Sequence, residues 1–478
     1  MIIDGVLLAA GSGTRMRSSV PKVLSPVLGA PLLSYPYRAL VRLHERVGAV
    51  HVVVPPGGVL GEEPLGAPGS PPPLYVVQKV PDGTFGACEA VISSPAFLSG
   101  SSTHLLVLNG DGPLVEETLL ESLVALGQDR PEALVLATAH LDDPTGYGRI
   151  LRDPSGRVTA ICEESAASPP EKAIREVNAG IYLIPRTILL EAAGRIAPDP
   201  RKGERYLTDL VSRVVSRNGE VLTLSVSPEA MRGVNTQEEL SLVTAVLRER
   251  INRLHMARGV TLQDPLRTDI GPEVTIGPGT LVLPGSFLEG ATKVGGSCRI
   301  GMGVHLLDTT VGDGAVLRDY VVASSAVVGP RAVVGPFAHL RPGTELGTEV
   351  HIGNFVETKK AVLGPGAKAN HLSYLGDVTV GARTNIGAGT ITCNYDGYEK
   401  FNTVIGEDVF VGSDTQLVAP LTVGDGSVIA AGSTVIGDLP SGALYLTRPT
   451  PDLRPEGATR YHERRRERRK HDKKKEST

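Results

Sequence analysis

The chain has 478 residues, of which 41% are hydrophobic, and a formal net charge of −4. This length predicts two or three domains with sizeable cores, and the small negative charge argues against a protein that binds nucleic acid over its whole surface. No apolar run is long enough to span a bilayer, the first residues make a poor signal peptide, and the four cysteines are widely spaced, which favours free thiols in a reducing cytoplasm.

Residues 1–235 alternate strand-like and helix-like segments. The runs IIDGVLLAA, VGAVHVVVPP and STHLLVLNGD predict buried parallel strands, and EETLLESLVALG predicts an amphipathic helix. This alternation indicates an α/β domain, Rossmann-like, with a mainly parallel sheet. Within it, residues 55–73 are so rich in Pro and Gly that they predict an exposed loop. Residues 236–258 begin with a Thr cap and have helical periodicity, which predicts a linker helix.

Residues 259–450 repeat an aliphatic residue followed by Gly, with a spacing of six or a multiple of six inside each block. This is the hexapeptide pattern of a parallel β-helix, in which the aliphatic residue points inward and the Gly lets the chain turn between flat faces. The pairs are Ile270-Gly271, Ile276-Gly277, Val294-Gly295, Ile300-Gly301, Val328-Gly329, Val334-Gly335, Leu346-Gly347, Ile352-Gly353, Val380-Gly381, Ile386-Gly387, Ile405-Gly406, Val411-Gly412 and Val423-Gly424.

The final segment, residues 451–478, is strongly basic. Its stretch RYHERRRERRKHDKKKEST holds ten Arg or Lys against four Asp or Glu. With almost no apolar residues it predicts a disordered tail. Two interpretations stay open, a solvated extension and a binding segment for an anionic partner.

The stretch LLAAGSGTRM, residues 7–16, follows the first strand and is a glycine-rich turn. Gly11 and Gly13 permit positive φ and close backbone approach, so that consecutive N–H groups form an anion site. Arg15 and Lys22 add positive charge. The turn lacks the Lys-Ser/Thr of the ATPase phosphate loop and the third Gly of the dinucleotide fingerprint. A tight strand–helix connection without a ligand is the alternative.

The order GxGTRM, Pro-Lys and NGD after an apolar strand resembles the sugar-phosphate nucleotidyltransferases. The resemblance implies that Arg15 and Lys22 are catalytic, holding phosphates and neutralising charge, and that Asp111 and Asn235 bind Mg²⁺. Tyr206 and Thr208 match further family positions. The UDP-sugar site that it implies consists of Leu8, Ala9, Ala10, Gly11, Lys22, Gln78, Gly83, Thr84, Asn109, Asp111, Gly148, Glu163, Asn178 and Asn235.

Residues 335–346, 353–377 and 386–435 carry a second resemblance. They resemble the acetyltransferase half of the bacterial bifunctional N-acetylglucosamine-1-phosphate uridylyltransferase/glucosamine-1-phosphate acetyltransferase family, and the likeness extends over roughly residues 3–450. It implies that His371 is the catalytic base that deprotonates the sugar amine and places Glu357 near the substrate. The implied glucosamine-phosphate site consists of Arg341, Lys359, Tyr374 and Asn385, and the implied acetyl-CoA site consists of Ala388, Asn394, Tyr395, Ser413, Ala431 and Arg448.

The family resemblance also implies a left-handed β-helix that forms a homotrimer, UTP and acetyl-CoA as co-substrates, and a place in the cytoplasm with no membrane or nucleic-acid partner. Several residues depart from the family pattern: Pro81 replaces a Gln of the uracil pocket, Asn109 replaces an aromatic residue, Glu164 and Ser165 follow Glu163, and His339 stands where Arg is frequent. Two alternatives remain: an enzyme with only one of the two activities, and a non-catalytic assembly protein.

Overall fold

The computed structural model describes residues 1–11, 13–58, 65–66, 70–80, 82–200, 203–448 and 453–475. The chain forms two compact units, Met1–Glu349 and Val350–Thr478. This division falls inside the hexapeptide region, whereas the sequence places a domain boundary at residue 258. The first coils of the repeat region therefore belong to the same compact unit as the α/β domain.

A nine-stranded mixed sheet forms the centre of the α/β domain, in the order β11-β7-β10-β6-β1-β4-β5, with β8 and β9 beside β10. The predicted parallel strands are β1, β4 and β6, and β1 pairs in parallel with both others. β10 is antiparallel to β6 and to β7, which makes the sheet mixed. A separate hairpin joins β2 to β3. The strands are β1 Ile3–Leu8, β2 Pro26–Val27, β3 Ala30–Pro31, β4 Val47–Val54, β5 Leu74–Val77, β6 His104–Asn109, β7 Leu134–His140, β8 Arg149–Arg152, β9 Val158–Cys162, β10 Glu176–Pro185 and β11 Val221–Ser225.

Helices cover this sheet and bury their apolar sides against it. In α4, which the sequence predicts, Leu120, Leu123 and Val124 are buried at a spacing of three and four residues, as expected for a helix with one face on the core. The helices of the first unit are α1 Ser34–Val41, α2 Gly83–Ile92, α3 Pro95–Ser99, α4 Glu117–Asp129, α5 Pro169–Lys172, α6 Arg186–Ala192, α7 Asp209–Ser216 and α8 Gln237–Ala257, with 3₁₀ turns at Thr14–Met16, Lys22–Leu24, His44–Arg46 and Pro265–Arg267.

The predicted linker helix is α8, and it begins as expected from a Thr cap. Thr236 accepts a hydrogen bond from the N–H of Glu239, whose carboxylate accepts one from the N–H of Thr236. This capping box satisfies N–H groups that the first turn leaves without a partner. Further along α8, Asn252 donates to the Thr268 carbonyl at 2.9 Å, and Arg248 pairs with Asp269. These contacts join the helix to the first coil of the repeat region.

The repeat region of the first unit is a parallel β-helix in which each strand pairs with the corresponding strand of the next coil, 17 to 20 residues later. Asp269 pairs with Phe287, and Phe287 pairs with His305. The aliphatic residues of the repeat are buried inside, for example Ile270 and Val282. Its strands are β12 Thr261–Leu262, β13 Asp269–Ile270, β14 Thr275–Ile276, β15 Leu281–Val282, β16 Phe287–Glu289, β17 Lys293–Val294, β18 Arg299–Ile300, β19 His305–Leu307, β20 Thr310–Val311, β21 Val316–Leu317, β22 Val322–Ser324, β23 Val327–Val328, β24 Val333–Val334, β25 His339–Leu340 and β26 Glu345–Leu346.

The second unit repeats the same parallel pairing. His351 pairs with Lys368, and Lys368 pairs with Asn385. Longer strands, β28 and β30, interrupt the two-residue strands and lie beside the predicted acetyltransferase residues. The strands are β27 His351–Asn354, β28 Glu357–Leu363, β29 Lys368–His371, β30 Tyr374–Val380, β31 Asn385–Ile386, β32 Ile391–Cys393, β33 Thr403–Ile405, β34 Phe410–Val411, β35 Gln416–Val418, β36 Leu421–Val423, β37 Val428–Ile429, β38 Thr434–Val435 and β39 Leu444–Tyr445.

Of the glycines in the thirteen quoted pairs, only Gly335 has a left-handed backbone, with φ of +93°, so most of them have a different role from the one that the sequence predicts. At Gly277 and Gly381 the backbone is not left-handed, but a Cβ would lie 2.5 Å and 2.4 Å from backbone atoms of the next coil. Close approach between coils, rather than positive φ at the corner, therefore requires glycine here. Left-handed corners occur at other positions, such as Gly279 and Ser297.

Two predicted irregular segments differ from expectation. The tail contains a helix, α9 Gly457–Lys475, where the sequence predicts disorder. Arg, Lys and Glu are good helix formers, and its described side chains to Glu467 lie at the surface. Of the loop predicted at 55–73, part lies outside the described residues, and Leu65 is buried rather than exposed. The four cysteines are free, as predicted.

Candidate active sites

A cavity of about 580 Å³ lies at the carboxyl ends of β1 and β6 in the first unit. This is the edge where open α/β sheets bind their ligands. Ten of the residues predicted for the UDP-sugar site line it: Leu8, Ala9, Ala10, Gly11, Lys22, Gln78, Gly83, Thr84, Asn109 and Asp111. The structure thus brings together side chains from the glycine-rich turn, the NGD segment and the DGTFGA segment.

The glycine-rich turn packs against Lys22. Gly13 has φ of +58°, and a Cβ on it would lie 2.8 Å from the Cβ of Lys22. Both the conformation and the contact therefore require glycine. The turn continues into a single 3₁₀ turn, Thr14–Met16, instead of the expected helix. Gly11 does not have positive φ, and Ser12 lies outside the described residues.

Lys22 joins the two predicted metal ligands. Its ammonium donates to Oδ2 of Asp111 and, at 3.1 Å, to Oδ1 of Asn235. Arg15 donates to the same Asn235 oxygen at 2.9 Å. The backbone N–H of Asn235 donates to Glu239 at 2.6 Å, which ties this residue to the first turn of α8. Two oxygen atoms that are far apart in the chain therefore converge on one cationic group.

This pair of oxygens is suited to Mg²⁺, which takes a carboxylate and keeps places for water and phosphate oxygens. The described part of the chain holds no group of three or more His, Cys, Asp or Glu that could bind a metal by itself. An ion at Asp111 and Asn235 would therefore need oxygens from a bound phosphate. That the Lys22 ammonium already lies against both oxygens indicates that they attract a cation.

On another side of the cavity, Gln78 is 7% exposed and donates to the Gly83 carbonyl at 3.0 Å. Its amide nitrogen is thus engaged, while no described residue bonds its carbonyl oxygen. Gly83 has φ of +72°, and a Cβ there would lie 2.5 Å from the Arg205 carbonyl. Thr84 accepts from the Leu207 N–H at 2.9 Å. Pro81, a departure from the family pattern, lies outside the described residues.

Besides Asn235, the remaining predicted residues of this site are Gly148, Glu163 and Asn178, which form a neighbouring group that does not line the cavity. Glu163 accepts a hydrogen bond from Thr208 at 2.8 Å, and the N–H of Asn178 donates to the Gly148 carbonyl at 2.9 Å. The Asn178 side chain accepts from the Gly180 N–H at 3.0 Å. Because a Cβ on Gly180 would lie 2.5 Å from the Asn109 amide, this group adjoins the cavity wall. Glu164, the residue after Glu163, pairs with Arg149 at 2.6 Å.

In the second unit, His371 ends β29 and is exposed. Its Nδ1 lies 2.9 Å from Oδ1 of Asn354, with which His371 is paired in register. Because that oxygen can only accept, Nδ1 carries the proton and Nε2 is left with a free lone pair. In the neutral tautomer that this contact favours, Nε2 can take a proton from a substrate.

Lys359 and Tyr374 lie on β28 and β30, which pair in parallel with each other. Contact with the Lys359 ammonium and repulsion from its charge lower the pKa of Lys400, while Asp377 and Tyr374 act in the opposite direction. Two neighbouring ammonium groups form a place where a dianion would be stabilised. Arg341 follows β25 in the first unit, where His339 is exposed.

The predicted acetyl-CoA residues follow one column of the β-helix. The Ala388 carbonyl accepts from the Asp414 N–H at 2.7 Å, the Ser413 carbonyl accepts from the Gly432 N–H at 2.8 Å, and the Ala431 carbonyl accepts from the Arg448 guanidinium at 3.0 Å. Asn394 is 7% exposed and donates to Asp377. Tyr395 is exposed and donates to the Gly397 carbonyl at 2.6 Å. Asn385 begins β31, in register with Lys368.

Comparisons with known proteins agree with this division into two sites. Residues 4–227 match the nucleotidyl transferase family, and residues 402–437 match the bacterial transferase hexapeptide family of six repeats. The bifunctional protein GlmU of Pelobacter propionicus is 42% identical over 95% of this chain and 97% of its own. Those of Pseudomonas putida and Stutzerimonas stutzeri are 44% and 45% identical over 94% of this chain and over 96% and 97% of theirs. The chain belongs to the GlmU family.

Membership in the GlmU family confirms the family that the sequence motifs indicate and the predicted fold class. The enzyme is a bifunctional transferase with a nucleotidyl transferase domain followed by a left-handed β-helix of hexapeptide repeats. The alternative of a non-catalytic assembly protein is thereby excluded. Within the described part of this GlmU-family chain, no helix has the length and apolar character needed to cross a membrane.

Three residues of these sites are absent from the sequence-based prediction. Glu204 lines the nucleotide cavity beside Tyr206, and burial together with a hydrogen bond to Glu204 raises the pKa of Tyr206 to about 12. Asn354 was predictable from the sequence by counting one coil back from His371, because the two residues are 17 positions apart and stack on neighbouring coils. Lys400 gave no such signal, since residues 394–402 interrupt the hexapeptide phase.

Proposed function

We propose that the enzyme makes UDP-N-acetylglucosamine by two reactions at the two sites. In the second unit, glucosamine-1-phosphate is acetylated by acetyl-CoA. In the first unit, N-acetylglucosamine-1-phosphate attacks the α-phosphorus of UTP and pyrophosphate leaves. The observation that best supports the uridylyl half is the convergence of Lys22 on Asp111 and Asn235 at the edge of the 580 Å³ cavity. The best support for the acetyl half is the Asn354–His371 pair.

For uridylyl transfer the protein needs to place two polyanions in line. The attacking phosphate oxygen is already anionic, so no strong general base is required. The glycine-rich turn offers backbone N–H groups to the UTP phosphates, and Arg15 and Lys22 offset the repulsion between phosphates. Asp111 and Asn235 would hold Mg²⁺, which supplies further positive charge at the phosphates. When phosphates bind, the Lys22 ammonium would exchange part of its contact with Asp111 for a phosphate oxygen.

For acetyl transfer the sugar ammonium must lose a proton before its nitrogen attacks. We assign this proton to Nε2 of His371, because Asn354 fixes the tautomer in which Nε2 is unprotonated. The amine then attacks the thioester carbonyl, a C–N bond forms, and the C–S bond breaks with CoA thiolate as the leaving group. The proton left in excess on the amide nitrogen passes to the thiolate to give the CoA thiol, and the proton on His371 is released to solvent.

Lys359 and Lys400 are suited to the sugar phosphate, together with the hydroxyl of Tyr374, whereas Arg341 belongs to the first unit and stays a prediction from the sequence resemblance. The neighbouring Lys359 ammonium lowers the pKa of Lys400. A dianion bound between the two ammonium groups would offset their mutual repulsion. Lys400 thereby joins the residues that the sequence resemblance implies for this substrate.

The column Ala388, Ser413 and Ala431 is suited to the extended pantetheine arm of acetyl-CoA, with Arg448 at its end for a phosphate. Asn394 and Asn385 are placed for the acetyl and sugar groups. Both co-substrates are cytoplasmic metabolites, and the proposed location of the enzyme is the cytoplasm.

We also propose a homotrimer. In the first unit, Tyr320 and Phe337 are 48% and 49% exposed and stack at 5.2 Å. In the second unit, Phe355 and Leu372 are 56% and 62% exposed. All four have positive φ between +49° and +60°, a costly conformation for large side chains. Burial of these apolar corners between subunits would offset that cost. Sedimentation equilibrium should give three times the 50.2 kDa chain mass, and a monomer at micromolar concentration would contradict it.

Selectivity for uracil is the part of the function that the site supports least directly. The Gln78 carbonyl oxygen can accept a hydrogen bond from a base N–H, which uracil has at N3 and cytosine lacks. The experiment is pyrophosphate release from the purified chain with N-acetylglucosamine-1-phosphate, Mg²⁺ and each of UTP, dTTP, CTP, ATP and GTP. We expect strong selectivity for UTP over CTP. Release with another nucleotide instead of UTP would contradict uridylyl transfer, and release with none of them would leave only the acetyl transfer, which is the single-activity alternative.

A further inference from the structure

A second cavity in the first unit, of about 660 Å³, is separate from the nucleotide cavity. Its walls come from α1, from the segment between β6 and α4, from the last turns of α8 and from the first coil. Apolar side chains form much of the wall, among them Tyr35, Val115, Leu247, Ile251 and Val274. A volume of this size is typical of sites for small organic molecules.

His255 of α8 lines this cavity and is only 4% exposed. Its Nδ1 is sealed from water with no hydrogen-bond partner in the described chain. Its Nε2 has no partner among the described residues either, but it is not sealed, so it borders the cavity. Burial and the nearby Arg258 lower the pKa of His255. A buried N–H group without an acceptor is costly, so the neutral ring carries its proton on Nε2 and not on the sealed Nδ1. Nε2–H is then one hydrogen-bond donor that faces the cavity.

Charged groups surround the opening. Arg42 and Arg258 line the cavity, are exposed and have no ion-pair partner in the described chain. The other lining cations are paired: Arg38 with Glu273 at 2.6 Å, Arg250 with Glu116 at 2.8 Å and with Glu229, and Arg253 with Glu249. Glu117 is the one unpaired carboxylate among the described residues of the wall. The unpaired charge at the opening is therefore positive.

We propose that this cavity binds an organic anion with an apolar or aromatic body, and that its occupancy regulates uridylyl transfer. The apolar wall accommodates the body, and the anionic group accepts from Nε2–H of His255 and lies between the guanidinium groups of Arg42 and Arg258. An anion there gains charge-assisted hydrogen bonds in a partly dehydrated place.

The regulation rests on the uridylyl transfer proposed above. Asp111 lies two residues before Pro113, where one wall begins, and Asn235 lies two residues before Gln237, the first residue of α8, which forms another wall. The two walls are bonded to each other, since Val234 N–H donates to the Asp111 carbonyl at 3.0 Å and Arg250 donates to the Leu114 carbonyl at 3.0 Å. A ligand that shifts α8 against this segment would change the distance between the proposed Mg²⁺ ligands.

The test uses 8-anilinonaphthalene-1-sulfonate, an aromatic monoanion, as the probe, and titrates the full chain with saturating UTP and Mg²⁺ present. We expect saturable binding of one probe per chain, and a dissociation constant at least tenfold higher in the Arg42→Glu/Arg258→Glu variant. The matched control, Arg130→Glu/Arg195→Glu, makes the same charge change at exposed residues that do not line the cavity and should bind as the parent does. Equal binding by both variants, or displacement of the probe by UTP, would overturn the site.

The regulatory part has its own readout in the same samples. Saturating probe should change the rate of pyrophosphate release at least twofold in the parent chain and not in the Arg42→Glu/Arg258→Glu variant, while the acetyl transfer rate stays constant. An unchanged rate with the probe bound would overturn the regulation and leave the site. A chain that binds the probe but releases no pyrophosphate under any condition would contradict the proposed function instead, so the two failures are distinguishable.

Discussion

The two candidate active sites are built in opposite ways. In the α/β domain, the site depends on contacts between loops that are far apart in the chain: Arg15 bonds Asn235 across 220 residues, and Lys22 bonds Asp111 across 89. In the β-helix, Asn354 bonds His371 across 17 residues, one coil of a regular ladder. The first site can change shape when loops move, whereas the second is fixed by the spacing of parallel strands.

The difference determines which of the two activities can be regulated from elsewhere in the protein. A site held by loops can respond to events elsewhere in its domain, because the loops adjust independently of the sheet. A site on neighbouring coils responds only if the coils separate, which would break many backbone hydrogen bonds at once. We therefore expect uridylyl transfer to be the regulated activity. The rate of acetyl transfer should depend only on the concentrations of its substrates.

The largest expected effect is a clean separation of the two activities. Replacing His371 by Ala removes the proposed base and should lower acetyl transfer by about 10² to 10⁴-fold, while pyrophosphate release stays within a few-fold. Asp111→Ala should do the reverse, because it removes a charged ligand from the phosphate site. Paired assays of both activities on each variant check this. Loss of both activities in either variant, with an unchanged circular dichroism spectrum, would mean that the two sites are not independent.

The same contrast explains what the sequence could predict. The hexapeptide period predicts the β-helix, because it places an aliphatic residue at the same position of each successive face. These residues then stack on their equivalents in the next coil. The strands β1, β4 and β6 were predictable from their apolar runs, since a strand covered on both faces needs no alternation. The contact of Lys22 with Asn235 was not predictable from pattern, because loop closure over 213 residues is set by the whole sheet.

The failures have equally specific reasons. The predicted role of most repeat glycines was wrong, because a sequence does not show how closely the next coil approaches. At Gly277, a Cβ would lie 2.5 Å from a backbone atom of that coil. The helix in the tail escaped prediction because helix propensity and low hydrophobicity point in opposite directions for a run of Arg, Lys and Glu. The packing of Arg38 on Glu273, 235 residues later, could not be predicted from the composition change that places a domain boundary at residue 258.

A smaller effect is expected from Asn354, which positions the base without contacting the reacting atoms. Asn354→Ala should lower kcat of acetyl transfer by about tenfold to 100-fold, as for other groups that orient a histidine. The KM values for both co-substrates should stay within a few-fold, because Asn354 is proposed to hold the base and not the substrates. Steady-state kinetics measure both constants, with Asn370→Ala on β29 as the control. A KM that rises as much as kcat falls would contradict a positioning role.

A still smaller effect is expected at Glu239, whose carboxylate accepts from the N–H groups of Asn235 and Thr236 at 2.6 and 3.0 Å. Glu239→Ala removes the capping box, a loss of about 1 kcal/mol, and frees Asn235 to move. The Mg²⁺ concentration for half-maximal pyrophosphate release should rise a few-fold. Glu239→Gln keeps an acceptor oxygen and should restore the parent value. Acetyl transfer in the same chain is the internal control, and an equal fall of both activities would indicate misfolding.

The smallest effect is expected from removing the basic tail. The described side chains of α9 lie at the surface, and the Arg465–Tyr461 hydrogen bond lies within the helix itself. A chain ending at Pro455 should keep both activities, and its free energy of unfolding should change by less than about 0.5 kcal/mol, as is usual for surface changes. A chain ending at Gly442 is the contrasting variant, because it also removes β39 and Arg448. That variant should lose acetyl transfer and keep pyrophosphate release, since Arg448 closes the column proposed for acetyl-CoA. Equal loss of acetyl transfer in both truncations would mean that α9 takes part in the acetyl site. The coils of the β-helix would then not be sufficient to form that site.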